Sequence, residues 1–135
     1  MTFPKNKWLL ATLIWLIAGI YTLIFRETPP HRTAPPFPHF DKVAHSLLFL
    51  CQTWLAAKIW LTENQKPPYF VLFLLGFIYA LSSEMAQHLF TQTRQGDIWD
   101  GIADMLGVII ALNLAHLRHT IHPNTPISNN PKEKN

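Results

Sequence analysis

Charged residues are scarce in this chain. Lys, Arg, Asp and Glu make up 14 % of the 135 residues, whereas soluble domains contain about 25 %. The basic residues form no stripe or patch, which argues against nucleic-acid binding. The single cysteine, Cys51, excludes an internal disulfide. Nucleophile elbows, P-loops and HExxH zinc motifs are also absent, so the sequence contains no familiar catalytic pattern.

Apolar residues are abundant instead, at 49 %, and they gather in four long stretches. Each stretch is long enough to cross a bilayer as a helix, which takes roughly 17–25 residues. All eleven prolines lie outside the stretches or at the first position of one, Pro68, where a helix tolerates proline. The sequence therefore predicts an all-α integral membrane bundle of four transmembrane helices, in one domain over residues 1–120. The predicted spans are about 8–25, 41–61, 68–90 and 97–117.

Two other interpretations of the apolar stretches are less consistent with the sequence. Lys5 and Lys7 before the first stretch are also typical of a signal peptide. That stretch is long for a signal peptide, however, and residues 26–30 offer no small-residue cleavage site. A soluble four-helix bundle would need a charged stripe along each helix, and the first and third stretches have none. An uncleaved, membrane-spanning first helix is therefore the better interpretation.

The distribution of positive charge predicts the orientation in the membrane. With four spans, the N-terminus, the 58–67 loop and the C-terminus share one side, which holds Lys5, Lys7, Lys58, Lys66, Arg118, Lys132 and Lys134. The other side holds Arg26, Arg32, Lys42 and Arg94. We therefore expect a multi-pass protein of the cytoplasmic membrane with both termini in the cytoplasm, and with the 26–40 loop and the 91–96 turn outside. Residues 121–135, rich in Asn, Pro and Lys, are predicted to form a disordered cytoplasmic tail.

Several ionisable side chains fall inside or at the ends of the predicted spans, where they are costly and mark a functional site by default. Within each span their spacing places them on one helix face. The separations are four residues between Asp41 and His45, three between Glu84 and Gln87, and three and then four along Asp97, Asp100 and Asp104. The start of the second span, the end of the third and the start of the fourth all lie on the outward side. We therefore expect one shared pocket there. Its candidate residues are Asp41, Lys42, His45, Glu84, Gln87, Arg94, Asp97, Asp100 and Asp104.

Taken singly, these residues have simpler explanations. Asp41 and Asp97 are placed to cap helices, His45 could be a packing residue, and Arg94 could be a charge in a turn. Asp104 is harder to explain, because it lies about 10 Å inside the start of its helix. A carboxylate at that depth must be paired, protonated or hydrated. On the same helix, a ridge of small residues that favours close helix packing is formed by Ala103, Gly107, Ala111 and Ala115.

These residues also occur in a recognisable order. The motifs are Asp41-Lys42-x-x-His45, then Glu84-x-x-Gln87, then Arg94-x-x-Asp97-x-x-Asp100-x-x-x-Asp104-x-x-Gly107. Over about residues 40–115 this pattern resembles the VanZ-like family of small bacterial membrane proteins. The resemblance implies a cell-envelope role, since the founding member is associated with resistance to the glycopeptide teicoplanin. It carries no established reaction, and at the position of Asp104 the family commonly has Asn.

Three functions follow for the predicted pocket. In the first, a non-catalytic envelope protein binds a lipid head group, a cell-wall precursor or a glycopeptide, or holds a partner protein. In the second, a metal-assisted hydrolase or transferase acts on a lipid-linked phosphate. Glu84, Asp100 and Asp104 would then bind Mg²⁺ or Ca²⁺, His45 with Asp41 would be the general base, and Arg94 would hold phosphate. In the third, the carboxylates form a proton or ion path. The lack of a catalytic motif favours the first function, with membrane lipids as partners and no cofactor expected.

Overall fold

The computed structural model describes residues 7–25, 37–90 and 97–121. Helix α1 (Lys7–Ile20) continues into a π-helical turn (Tyr21–Phe25), and α2 (Phe40–Leu61), α3 (Tyr69–Phe90) and α4 (Ile98–Ile121) follow. The described part of the chain contains no strand, which confirms the all-α prediction. Three predictions lie wholly or mostly outside the described residues: the 26–40 loop, of which only 37–40 are described, the 91–96 turn with Arg94, and the disordered tail over 121–135, of which only residue 121 is described.

Three of the helical segments are long and apolar enough to cross a membrane: Lys7–Ile24, Tyr69–Phe90 and Ile98–Ile121. Helix α2 is as long as α3, with 22 residues, but it is less apolar because Asp41, Lys42 and Lys58 lie within it. The other three segments present large apolar side chains on the outside of the bundle, as a lipid-facing surface requires. The four-helix membrane bundle therefore agrees with the prediction, with α2 as its most polar member.

Helices α2 and α4 approach each other most closely at Gly107. A Cβ atom built on Gly107 would collide with the backbone carbonyl oxygen of Ser46 and lie 3.0 Å from the backbone nitrogen of Leu50. Ala111 and Ala115, one and two turns further along α4, are fully buried. The predicted ridge of small residues therefore faces the bundle, because only residues without large side chains allow this backbone separation.

Helix α1 lies against α2 and α3 through polar contacts as well as apolar ones. The indole nitrogen of Trp15 donates to the carbonyl oxygen of Leu48 over 3.1 Å. Near the end of α1, the buried Leu23 accepts a 3.2 Å hydrogen bond through its carbonyl oxygen from the side-chain amide of Gln87 on α3. These contacts hold the first helix on the bundle beside the polar end of α3.

Two apolar clusters fill the interior. The middle cluster consists of Leu23, Phe49, Ala80 and Val108. The second lies where α2 ends and α3 begins and consists of Ala57, Ile59, Trp60, Leu61, Leu72 and Ala115. The opposite end of the bundle, where α2 and α4 begin and α3 ends, carries the polar residues of the predicted pocket.

Candidate functional site

An outer group of charged residues surrounds the ammonium of Lys42 in the first turn of α2. The Nζ atom lies 2.8 Å from Oδ2 of Asp97 and 2.8 Å from Oδ1 of Asp100. Oδ2 of Asp41, whose side chain is largely exposed, is 3.8 Å away. We call Asp41, Lys42, Asp97 and Asp100 the outer cluster. It joins the start of α2 to the start of α4 by charge-assisted hydrogen bonds.

Asp97 also begins helix α4, as the sequence predicted. Its Oδ1 atom accepts the backbone N–H of Trp99 over 3.0 Å, which satisfies one of the free donors at the helix N-terminus. Asp97 precedes the membrane-spanning segment, and the hydrogen bond from Lys42 is the main reason that the pKa of its carboxyl is lowered from the ordinary value. The outer cluster therefore holds Asp97 in its charged form.

An inner pair lies one helical turn deeper. Nδ1 of His45 on α2 lies 3.1 Å from Oδ1 of Asp104 on α4, and the two atoms share a hydrogen bond. His45 is 5 % exposed and Asp104 is completely buried. The depth predicted for Asp104 is thus matched by a partner from another helix, as a buried carboxylate requires.

Glu84 approaches this pair from α3. Its Oε2 atom accepts the backbone N–H of Asp97 over 3.0 Å, so the carboxylate stabilises the start of α4. His45, Glu84 and Asp104 each offer a donor atom within 4.8 Å of those of the other two, and we call these three residues the inner cluster. Two buried oxygens in it, Oε1 of Glu84 and Oδ2 of Asp104, have no hydrogen-bond partner within the described residues.

A cavity of about 740 Å³ runs between α3 and α4 and includes Glu84 in its wall. The rest of the wall is almost entirely apolar, and Leu81, Met85 and Ile102 are more than half exposed on the outside of the bundle. The cavity is therefore a groove on the lipid-facing surface, with Glu84 and His88 as polar residues in its wall. Its apolar lining includes Phe77, Leu81, Met85, Ile102, Met105 and Ile109.

The structure brings most of the predicted pocket residues to one end of the bundle. Seven lie in the outer and inner clusters just defined. Gln87 is turned instead towards Leu23 of the first helical segment, and Arg94 lies outside the described residues.

Two groupings in the structure differ from those the sequence suggested. His45 contacts Asp104 rather than Asp41, because Asp41 points outwards from the first turn of α2 while α4 packs directly against His45. In the predicted metal set, Asp100 is engaged by Lys42, and His45 takes its place beside Glu84 and Asp104.

Sequence reasoning did not find the groove. The signal available for it was a second stripe on α4, formed by Ile98, Ile102, Met105 and Ile109 beside the aspartate stripe. Such a stripe resembles any lipid-facing surface. Only its position across from α3 makes it the wall of a groove.

Comparison with known protein families identifies the family to which the chain belongs. The VanZ/LLP1 family model matches residues 4–119, which extends the resemblance seen over 40–115 to the first helix. No curated protein and no solved structure matches the chain. With three helices apolar enough to cross a membrane and a match over most of its length, this multi-pass membrane protein belongs to the VanZ/LLP1 family.

Proposed function

We propose that this member of the VanZ/LLP1 family binds an amphiphile, either a membrane lipid or a lipid-linked cell-wall precursor. Its polar head would lie at the inner cluster and its apolar chain in the α3–α4 groove. The observation that carries the proposal is the continuity of the two: Glu84 lines the groove and has a buried oxygen for which the described part of the chain offers no hydrogen-bond partner. The glycopeptide role implied by the family resemblance would fit this site through a ligand that also carries an apolar chain.

The groove alone would add little binding energy. A lipid chain that enters it leaves surroundings as apolar as the groove itself, so no hydrophobic driving force favours the transfer. The volume of about 740 Å³ lies within the roughly 300–1,000 Å³ typical of small-molecule sites. The groove therefore orients the chain, and the polar contacts in its wall must select the ligand.

The charges of the site restrict the head group. Among the described residues, the two clusters contain five carboxylates and one lysine, Lys42, whose ammonium is already shared by Asp97 and Asp100. The unpartnered oxygens of Glu84 and Asp104 are acceptors, which suit hydroxyl or amine donors of a head group. A bare phosphate would be repelled at this distance from several carboxylates.

A matched pair of tryptophan substitutions tests the proposal. Ile109 lines the groove and Ile110 does not, although the two are adjacent, of one residue type, and 45 % and 39 % exposed. A lipid with a photoactivatable acyl chain should label the wild-type protein and I110W equally in membranes. I109W should be labelled less, because the indole fills the groove. Equal labelling of the two variants would contradict the proposal.

A metal-assisted hydrolase or transferase acting on a lipid-linked phosphate is the second candidate. The close approach of His45, Glu84 and Asp104 favours it, since a base and two acidic groups beside a bound head group are suited to such chemistry. The purified protein would be incubated with a lipid diphosphate and released phosphate measured. Release that is absent in Glu84→Gln would support this candidate, and no release from the wild-type protein would remove it.

A further inference from the structure

We propose that the inner cluster binds one divalent transition-metal ion, with His45, Glu84 and Asp104 as its protein ligands. The inference rests on the proposed function in one respect, because the ion would lie where the head group of the amphiphile is expected. The ion would neutralise the two carboxylates of the inner cluster.

The spacing of the donor atoms fits one ion. One donor atom from each of the three side chains lies within 4.8 Å of the others. Nitrogen and oxygen ligands lie about 2.0–2.2 Å from Zn²⁺, so two ligands of one ion are at most about 4.4 Å apart. Side-chain adjustments of less than an ångström would bring all three donors onto a common centre.

The unpartnered oxygens indicate that something is to be bound. Oδ2 of the completely buried Asp104 and Oε1 of Glu84 have no hydrogen-bond partner within the described residues. A charged carboxylate oxygen that is buried without a donor is costly, and metal coordination is one of the few ways to satisfy it. The other carboxylates of the site, in contrast, are engaged by Lys42 or lie exposed at the rim.

The donor set favours a transition metal. Mg²⁺ and Ca²⁺ prefer oxygen ligands alone, whereas an imidazole nitrogen with two carboxylates suits Zn²⁺, Fe²⁺ or Mn²⁺. Three protein ligands leave further coordination positions for water or a ligand. A bound ion would also neutralise the two carboxylates nearest the head group and offer its open coordination positions to phosphate oxygens, and the amphiphile is therefore expected to carry a phosphate in its head group.

Metal binding can be measured directly on the full-length protein in detergent. After treatment with a chelator, the protein would be titrated with Zn²⁺ and Mn²⁺, with Mg²⁺ and Ca²⁺ for comparison, and the retained metal counted per chain. We expect one tightly held Zn²⁺ or Mn²⁺ and weaker binding of Mg²⁺ and Ca²⁺. Pulsed electron paramagnetic resonance of the Mn²⁺ form should show coupling to one imidazole nitrogen.

Isosteric variants assign the ligands. Asp104→Asn and Glu84→Gln should each lower the affinity for the metal ion by about 100-fold or more. Substitution of residues that only hydrogen-bond to metal ligands already lowers affinity by about 10–100-fold. Glu63→Gln removes an exposed carboxylate just after α2, at the opposite end of the bundle, and should bind metal like the wild type. If either ligand variant fails to fold, the nitrogen coupling in the wild-type protein still decides the matter.

The outcomes separate this inference from the proposed function. No retained ion, equal binding in Asp104→Asn and the wild type, or no nitrogen coupling would overturn the metal site. The lipid labelling of I109W and I110W is measured in membranes, as described above. Labelling that stays sensitive to I109W without any metal overturns only the metal site, whereas metal binding with equal labelling of I109W and I110W overturns only the lipid groove.

Discussion

The two lysines of α2 lie in contrasting surroundings at the two ends of the bundle. Lys42 is held by carboxylates from α4 at 2.8 Å. Lys58 lies 16 residues further on, about 24 Å along the helix axis, and its Nζ is 4.5 Å from the ring of Trp8 and 5.7 Å from that of Trp54. Tryptophan and lysine together are typical of a membrane–water interface. One end of α2 is therefore anchored at a surface, while the other is built into a polar site between helices.

Charged residues of a membrane helix have two different structural roles at these two ends. At the Lys58 end, the interior beneath is an apolar cluster that includes Trp60 and Leu72, and the charge stays outside it. At the Lys42 end, the charged groups continue inwards to Asp104, which is completely buried. The second arrangement requires charged partners from other helices, and a change of one of these buried polar residues is therefore expected to be more destabilising.

The largest expected effect follows from breaking the inner pair. Asp104→Leu should lower the free energy of unfolding by about 3–5 kcal/mol, because His45 would be left buried without its partner. The double change of His45 and Asp104 to Leu should recover part of this loss, since both polar groups are then gone. Unfolding in detergent with increasing denaturant measures both. A single variant as stable as the wild type would show that the pair is not formed.

The contrast between the two lysines can be tested with one substitution at each end. Lys42→Met removes two charge-assisted hydrogen bonds and leaves Asp97 and Asp100 facing each other, for a loss of about 1.5–3 kcal/mol. Lys58→Met removes a cation–π contact at an interface and should cost about 0.5–1 kcal/mol. Thermal melts of the two variants compare the losses of stability. Equal losses would contradict the proposed difference between the two ends.

A third test compares two glycines of α4. Gly107→Ala should destabilise the bundle by about 1–3 kcal/mol, because the new methyl group meets the backbone of α2. Gly101→Ala should be neutral or stabilising by up to about 1 kcal/mol, since its Cβ would meet only Cγ of Glu84, at 3.8 Å. The two melting temperatures should therefore move in different directions. A shared direction would mean that α2 and α4 are not in contact at Gly107.

The smallest effect concerns pH at the outer cluster. The pKa of Asp97 is lowered, mainly by its hydrogen bond from Lys42. A group with a lowered pKa stabilises the folded state above its unfolded pKa, and this contribution disappears as the pH falls through the folded value. Stability should therefore decrease below about pH 4, and less so in Asp97→Asn. An identical acid profile in the variant would show that this contact contributes nothing.

The helices and the end of the bundle at which the polar residues meet follow from the sequence. Long apolar stretches between prolines predicted α2 and α3 within one residue of where each begins. A helix places residues three and four apart on one face. The antiparallel order of the helices brings the end of α3 and the start of α4 to the end of the bundle at which α2 begins. These are local rules, and they operate on each stretch of the chain independently.

The partners of the polar groups were decided only by the tertiary structure. Spacing along α2 suggested Asp41 as the partner of His45, but the close approach at Gly107 sets α4 against α2 and brings Asp104 to His45 instead. The same packing brings Asp100 within hydrogen-bond distance of Lys42 and leaves a groove between α3 and α4. A helical sequence determines which side chains share a face. The rotation and separation of neighbouring helices, which depend on the packing of all their side chains, determine what that face meets.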